Sequence, residues 1–202
     1  GFDIDDSIKT MLKKGCNYYP DVVAKILVKM AKKRRLRQLR VSGGEPTIGK
    51  RHLLQLLDNL EGQRLLFILE TNGILIGDDS QYAQDLSKYE FLHVRVSLKG
   101  CSEKEFAVLT GAKPEGFTLQ LKALENLLRK GIRCHPAAMI SFSTKESVRQ
   151  LAERLKTTNT GLAGDLEFEE LILYPKVKRK IGGYRLKYYS AYVPDRVPQE
   201  RI

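Results

Sequence analysis

The stretch Ser42-Gly43-Gly44-Glu45-Pro46-Thr47-Ile48-Gly49-Lys50 joins two segments of different hydrophobic period. Before it, Leu39 and Val41 alternate with Gln38 and Arg40, which predicts a half-buried strand over about 36–41. After it, Leu53, Leu54, Leu56, Leu57 and Leu60 fall on one helical face over about 50–60. A glycine pair at the end of a strand lets the backbone turn tightly and approach a ligand closely. The carboxylate of Glu45 follows at once, and Pro46 removes one donor and stiffens the turn. Such a loop suits a cationic ligand group, for instance an amine.

Gly44 and the pair Gly49-Lys50 also come within one residue of a phosphate-binding loop. Arg51 stands where that loop needs a Ser or Thr hydroxyl for magnesium, and Glu45 would repel phosphate. A purely structural strand-to-helix turn would explain the glycines and the proline, but not the acid between them.

From this loop outward the chain alternates strand and helix. Strands are expected at 36–41, 64–69, 91–97, 135–142 and 166–173, and helices at about 50–60, 79–87, 116–129 and 144–156. Upstream, Pro20 suits the first turn of a helix whose buried face is Val22, Val23, Ile26, Leu27, Met30 and Ala31. Repeated strand–helix units call for parallel strands joined by right-handed crossovers. The fold class is therefore α/β, a partial barrel of parallel strands, with an extension at 1–17, the barrel at 18–175 and a tail at 176–202. That tail is basic, Tyr-rich and Pro-punctuated, and reads as irregular or as a broken final unit.

Functional groups on parallel barrels collect at the C-terminal ends of the strands. The polar clusters fall there: Glu70-Thr71-Asn72, then Ser97 and Lys99 two residues apart on one side, then Ser141 and Ser143. Asn72-Gly73 also fits a plain turn, and Lys99 a solvated loop lysine. His135 is expected at the opposite end of its strand, His93 inside a strand as a packed residue, and His52 at a helix start without a ligand role.

Composition sets the outer bounds. With 202 residues, 42% hydrophobic and 29% charged, the chain has material for one core under a heavily charged surface. No apolar run reaches membrane-spanning length and no signal peptide opens the sequence, so a cytoplasmic protein without a membrane partner is expected. The net charge of +11 admits RNA or another anionic partner. The tail is the candidate surface, because Lys176, Lys178, Arg179, Lys180, Arg185 and Lys187 are interleaved with tyrosines. Cys16, Cys101 and Cys134 match no zinc or disulfide pattern.

Ser-Gly-Gly-Glu-Pro after a strand resembles the GGEP motif of radical S-adenosylmethionine enzymes. The resemblance continues through Leu69-Glu70-Thr71-Asn72-Gly73, Val94 to Gly100 and Met139 to Ser143, and is closest to the activase-like branch. It implies a partial (β/α)6 TIM-type barrel binding S-adenosylmethionine, with Ser42, Gly43, Gly44, Glu45 and Pro46 at the methionine ammonium. It further implies Glu70, Thr71 and Asn72 as cofactor contacts, Ser97 at the ribose, Lys99 at the carboxylate, and Ser141 at either.

The activity implied is cleavage of the cofactor by a reduced [4Fe–4S] cluster, supplied by an electron donor, to a radical that abstracts hydrogen from a substrate. The expected C-x-x-x-C-x-x-C motif is absent: counting from Cys16, its next positions hold Pro20 and Val23. Gly15-Cys16-Asn17 resembles the opening of the cluster loop, with Cys16 as first ligand and the remainder missing between Asn17 and Tyr18, so that the cluster is absent from this form. Cys16 is equally an ordinary small residue at a helix entrance. In that case the chain would be a cluster-less barrel acting as a binding or scaffold protein.

Overall fold

A computed structural model of the chain describes residues 18–198. The extension at 1–17, with Cys16 and the Asn17 side of the junction, lies outside the described residues. Helix α1 (Pro20–Arg34) leads into β1 (Gln38–Val41), a 3-10 turn (Pro46–Gly49) and α2 (Lys50–Leu60). Next come β2 (Leu66–Thr71), α3 (Ile74–Asp78), α4 (Ser80–Leu86) and β3 (Leu92–Leu98). Then α5 (Glu103–Thr110), α6 (Glu115–Arg129) and β4 (Arg133–Met139) follow. The chain continues through α7 (Lys145–Thr158), α8 (Thr160–Gly164), β5 (Glu167–Glu169) and α9 (Pro175–Gly183) to a 3-10 turn at Pro194–Arg196.

The five strands form one open, wholly parallel sheet in the order β1-β2-β3-β4-β5, the arrangement expected of a partial barrel. Register makes its two faces different. Leu39, Phe67 and Leu92 lie abreast, as do Leu69, Val94 and Cys134, and then Thr71, Val96 and Pro136. This face packs against the apolar sides of the helices, including Leu53 and Leu57 of α2 and Phe117, Ala123, Leu124 and Leu127 of α6. On the opposite face Glu70 lies beside Arg95 and Arg95 beside His135, with Glu167 and Glu169 following on β5. Parallel strands buried on both sides read as continuous apolar runs; these alternate because one face lines an open lumen.

Local chemistry sets the helix starts. Asp79 accepts a hydrogen bond from the Gln81 amide, Ser102 from that of Glu105 and Thr144 from that of Ser147, each cap satisfying a first-turn donor. Helices α3 and α6 pack with almost no separation at Gly77, where an added Cβ would lie 1.9 Å from the Leu119 carbonyl oxygen. We expect Gly77→Ala to destabilise the fold by at least about 2 kcal/mol. Urea denaturation followed by circular dichroism checks this, and a midpoint equal to wild type would refute it.

The strands differ from expectation in length and phase. β2 runs two residues further than expected, so Glu70 and Thr71 are its last two residues rather than the first beyond its end. β4 begins earlier, at Arg133, and ends before Ser141. β5 keeps only three residues. The tail is part helix and part irregular: α9 is followed by a stretch without regular structure until Tyr192 bridges Ile172 in parallel. Its backbone then exchanges bonds with Leu171 and Leu173 at 2.8 Å each. Among the described residues no helix is long and apolar enough to cross a membrane.

Candidate functional site

At the C-terminal ends of β1, β2 and β3 the sheet opens into a cleft of about 440 Å³. Gly43, Gly44, Glu45, Glu70, Thr71, Asn72, Ser97 and Lys99 all line it. Three separate strands thus deliver the expected groups to one place. Ser42, Pro46 and Ser141 are not among its walls.

The loop after β1 has the conformation that only its glycines take without strain, with φ of +89° at Gly43 and +58° at Gly44. Glu45 then turns its carboxylate back onto the end of β2. Its Oε1 accepts from the Thr47 amide at 3.1 Å, from the Thr47 hydroxyl, and from the Thr71 hydroxyl at 2.7 Å. Its Oε2 accepts from the Asn72 amide at 2.7 Å. Four donors use most of what a carboxylate can accept. Glu45 therefore clamps its own loop to β2, and its capacity for a further partner is small.

The clamp is backed from below. The Tyr82 hydroxyl donates to the Thr47 carbonyl at 2.9 Å, and burial raises its pKa above the usual tyrosine range. Lys50 pairs with Asp85 at 2.8 Å and lies over the Tyr82 ring. It therefore points away from any phosphate role.

Glu70 offers the cleft a second carboxylate, held by Arg40 at 2.9 Å and approached by Arg95 at 3.8 Å. Arg95 is the hub of the lumen face and is only 6% exposed. It donates through Nε and NH2 to both oxygens of Glu167 at 2.9 Å, and through NH2 to Glu169 at 2.8 Å. Its NH1 lies 3.2 Å from the Ser97 hydroxyl. The guanidinium holds the Glu167 carboxyl down at about 2. Lys99 stands 3.6 Å from Glu169 and remains partly exposed at the edge of the cleft.

Ser141 is taken up by structure. Its buried hydroxyl accepts from the Leu171 amide at 2.8 Å, and its carbonyl accepts from the Tyr189 amide at 2.7 Å, so it fastens β5 and the tail to β4. Ser143 donates to Glu105, which also accepts from the Cys101 amide at 2.7 Å. His135 is the third residue of β4 and lies deep in the lumen, 2.6 Å from His93 and 3.2 Å from Glu167. Burial, then electrostatic repulsion from the neighbouring His135 and Arg133, lowers the His93 pKa. Neither histidine is among the cleft walls.

Sequence reasoning missed five residues, one of which, Thr110, turns its hydroxyl to the Phe106 carbonyl at 2.7 Å. Ile74, Phe106 and Ala112 form an apolar wall, and Gln120 enters from α6. An apolar wall facing a few convergent polar groups is the usual composition of a small-molecule site. Gln120 is fully buried, and its Oε1 has no partner. An orphaned buried acceptor fits a cleft whose occupant carries hydrogen-bond donors, as S-adenosylmethionine does. No local signal marks it, because a glutamine among Leu119, Leu121 and Leu124 reads as an exposed helix position.

The described residues do not fit an iron–sulfur cluster. None of their His, Cys, Asp and Glu side chains form a group of three able to hold a metal ion. Burial pushes the thiols of Cys101 and Cys134 up to about 11 and about 12, so both stay protonated at neutral pH.

Comparison with known proteins accords with this geometry. A family model described as the Radical SAM superfamily matches residues 7–155. A probable GTP 3',8-cyclase of Methanococcus vannielii is 34% identical over 97 residues, 48% of this chain and 31% of that protein. Streptococcus suis SuiB bound to S-adenosylmethionine superposes with a TM-score of 0.60 at 18% identity, over 87% of this chain and 43% of SuiB. The protein anSMEcpe with bound AdoMet and a peptide gives 0.59 at 19% identity, over 75% and 42%. The chain thus spans less than half the length of each. With the family model matched over most of its length, and with the parallel half-barrel and glycine-rich strand end that such a match requires, the chain belongs to the radical SAM superfamily.

Proposed function

We propose that the cleft at the ends of β1–β3 binds S-adenosylmethionine and that the chain is the cofactor-binding part of a radical SAM enzyme. The observation that carries this reading is convergence: the Gly43–Gly44 turn, the Glu70–Asn72 strand end, Ser97 and Lys99 share one cleft. When bound, the cofactor supplies the radical chemistry for hydrogen abstraction.

The chain's own residues bind and orient it. Loop backbone and Glu70 meet the ammonium, Lys99 meets the carboxylate, and Ser97 meets the ribose. Glu45 acts through the loop that it clamps. The apolar wall of Ile74, Phe106 and Ala112 excludes water from one side of the ligand.

Isothermal titration of the complete gene product with S-adenosylmethionine tests the reading. Binding competed by S-adenosylhomocysteine and weakened about tenfold or more in Lys99→Ala supports it. Absence of binding, before and after anaerobic iron and sulfide reconstitution, overturns it. In the same preparation, iron and sulfide assays followed by dithionite reduction and a search for 5′-deoxyadenosine decide cluster use. The cluster reading needs ligands beyond the described residues.

A second reading attaches to the tail. From 176 to 193 there are six cations and no acid, and among the described residues none of the six is in an ion pair. Tyr174, Tyr184, Tyr188 and Tyr189 are exposed beside them. We propose an anionic partner for this surface, with single-stranded RNA as the case to test. Fluorescence anisotropy should show salt-dependent binding that is lost in Lys176→Glu/Arg179→Glu/Lys180→Glu; no binding at low salt retires the idea.

A further inference from the structure

Gln120 lies outside every motif in the sequence, yet it is fixed at the floor of the cleft. Its Nε2 donates to the Asn72 carbonyl and to the Ser97 carbonyl, at 2.8 Å each. These carbonyls belong to the ends of the two strands that meet there. Reversing the amide would set its oxygen against two carbonyl oxygens, so the surroundings fix which way it points. Oε1 is left without a donor, alone in this respect among the buried side-chain nitrogens and oxygens of the described residues. An amide oxygen removed from water without a donor is a standing cost to the folded state, and such atoms are rare unless something else satisfies them.

The charged groups of the cleft have other tasks. Glu70 is the acceptor suited to an ammonium, and Lys99 the donor suited to a carboxylate. Gln120 is neutral and is held between neutral carbonyls next to Ser97. A neutral donor matches it best. We propose that Gln120 is a recognition residue whose Oε1 accepts a hydrogen bond from a ribose hydroxyl of the bound S-adenosyl ligand. The inference rests on the cofactor reading of the cleft and adds to it the specificity element for the sugar.

The test is a double-mutant cycle between protein and ligand. S-adenosylhomocysteine serves as the uncleaved probe, with its 2′-deoxy, 3′-deoxy and N6,N6-dimethyl forms, titrated into the complete chain and into Gln120→Met. One of the two deoxy probes should bind wild type about tenfold more weakly than the parent, and the parent should bind Q120M weaker by a similar factor. Combining the two changes should bring no further loss. Equal weakening of every probe in Q120M means that Gln120 only supports the strand ends, and this overturns the proposal. Coupling to the dimethyl probe instead also overturns it.

If wild type binds none of the probes, the cofactor reading has failed, which is a separate outcome. Should Q120M not fold, the labelled wild-type chain still decides. The Gln120 side-chain carbonyl carbon should shift on binding the parent and lose that shift with one deoxy probe. An unchanged resonance on binding of the parent refutes the assignment.

Discussion

Replacing Glu45 by Ala is expected to weaken S-adenosylmethionine binding at least about hundredfold and to lower stability by about 3 kcal/mol. The carboxylate is the common acceptor for two donors of its own loop and two from the end of β2. Without it the Thr71 hydroxyl, which is buried, and the Asn72 amide lose their partner together. The Tyr82 hydroxyl still ties Thr47 to α4, but the side-chain bonds from the loop to the end of β2 are gone, and the entropy of a loop with two left-handed glycines returns.

Glu45→Gln should fall between wild type and Ala, because its amide oxygen still accepts from some of the four donors while its NH2 opposes the others. Titration calorimetry and urea denaturation measure the two effects. Unchanged affinity in E45A would show that the loop orders itself without the clamp.

The second large effect is at Arg95. Arg95→Met removes the buried cation that neutralises Glu167 and Glu169 and steadies Glu70. Breaking a buried pair from one side costs about 3–5 kcal/mol. Here about half of the Glu167 side chain is exposed and can turn to water, so about 2 kcal/mol is the better expectation.

The pH dependence gives a sharper signature. Arg95, by hydrogen bond and charge, depresses the Glu167 carboxyl from its ordinary 4.5 to about 2. A depressed carboxyl contributes stability that is fully present above 4.5 and is lost as pH falls toward 2. In R95M Glu167 should titrate near its ordinary value, and that part of the acid branch should vanish. Urea midpoints at pH 6 and pH 3 should therefore lie closer together in R95M than in wild type. An equal gap would mean that another cation holds Glu167.

The lumen face also bears on what the cleft does. Arg95 touches the Ser97 hydroxyl on one side and carboxylates from β2 and β5 on the other, so it ties the floor of the cleft to the far edge of the sheet. Lys99 stands between the cleft and Glu169. Orientation of Ser97 and Lys99 thus depends on a strand more than 60 residues away along the chain. R95M should accordingly weaken cofactor binding as well as stability.

Much of this protein is local in origin. The alternation of Leu39 and Val41 with charged neighbours, the leucine face of α2 and the glycine pair between them each need only a few neighbouring residues to be read. Hydrophobic period and φ preference act over that range. They carried the order of elements, the parallel sheet and the strand-end position of Glu70, Thr71, Asn72, Ser97 and Lys99.

What tertiary structure decided was partnership. Glu45 is largely occupied because β2 lies beside β1 in parallel register; its own segment shows only an acid after two glycines. Ser141 left the cleft because the Leu171 amide takes its hydroxyl and the returning tail takes its carbonyl. Arg95 became a hub, and Gln120 an orphaned acceptor, through residues on other strands and on a helix packed from behind. A sequence states which side chains can donate or accept, but which of them meet depends on crossovers that bring distant strand ends within 3 Å or so of one another.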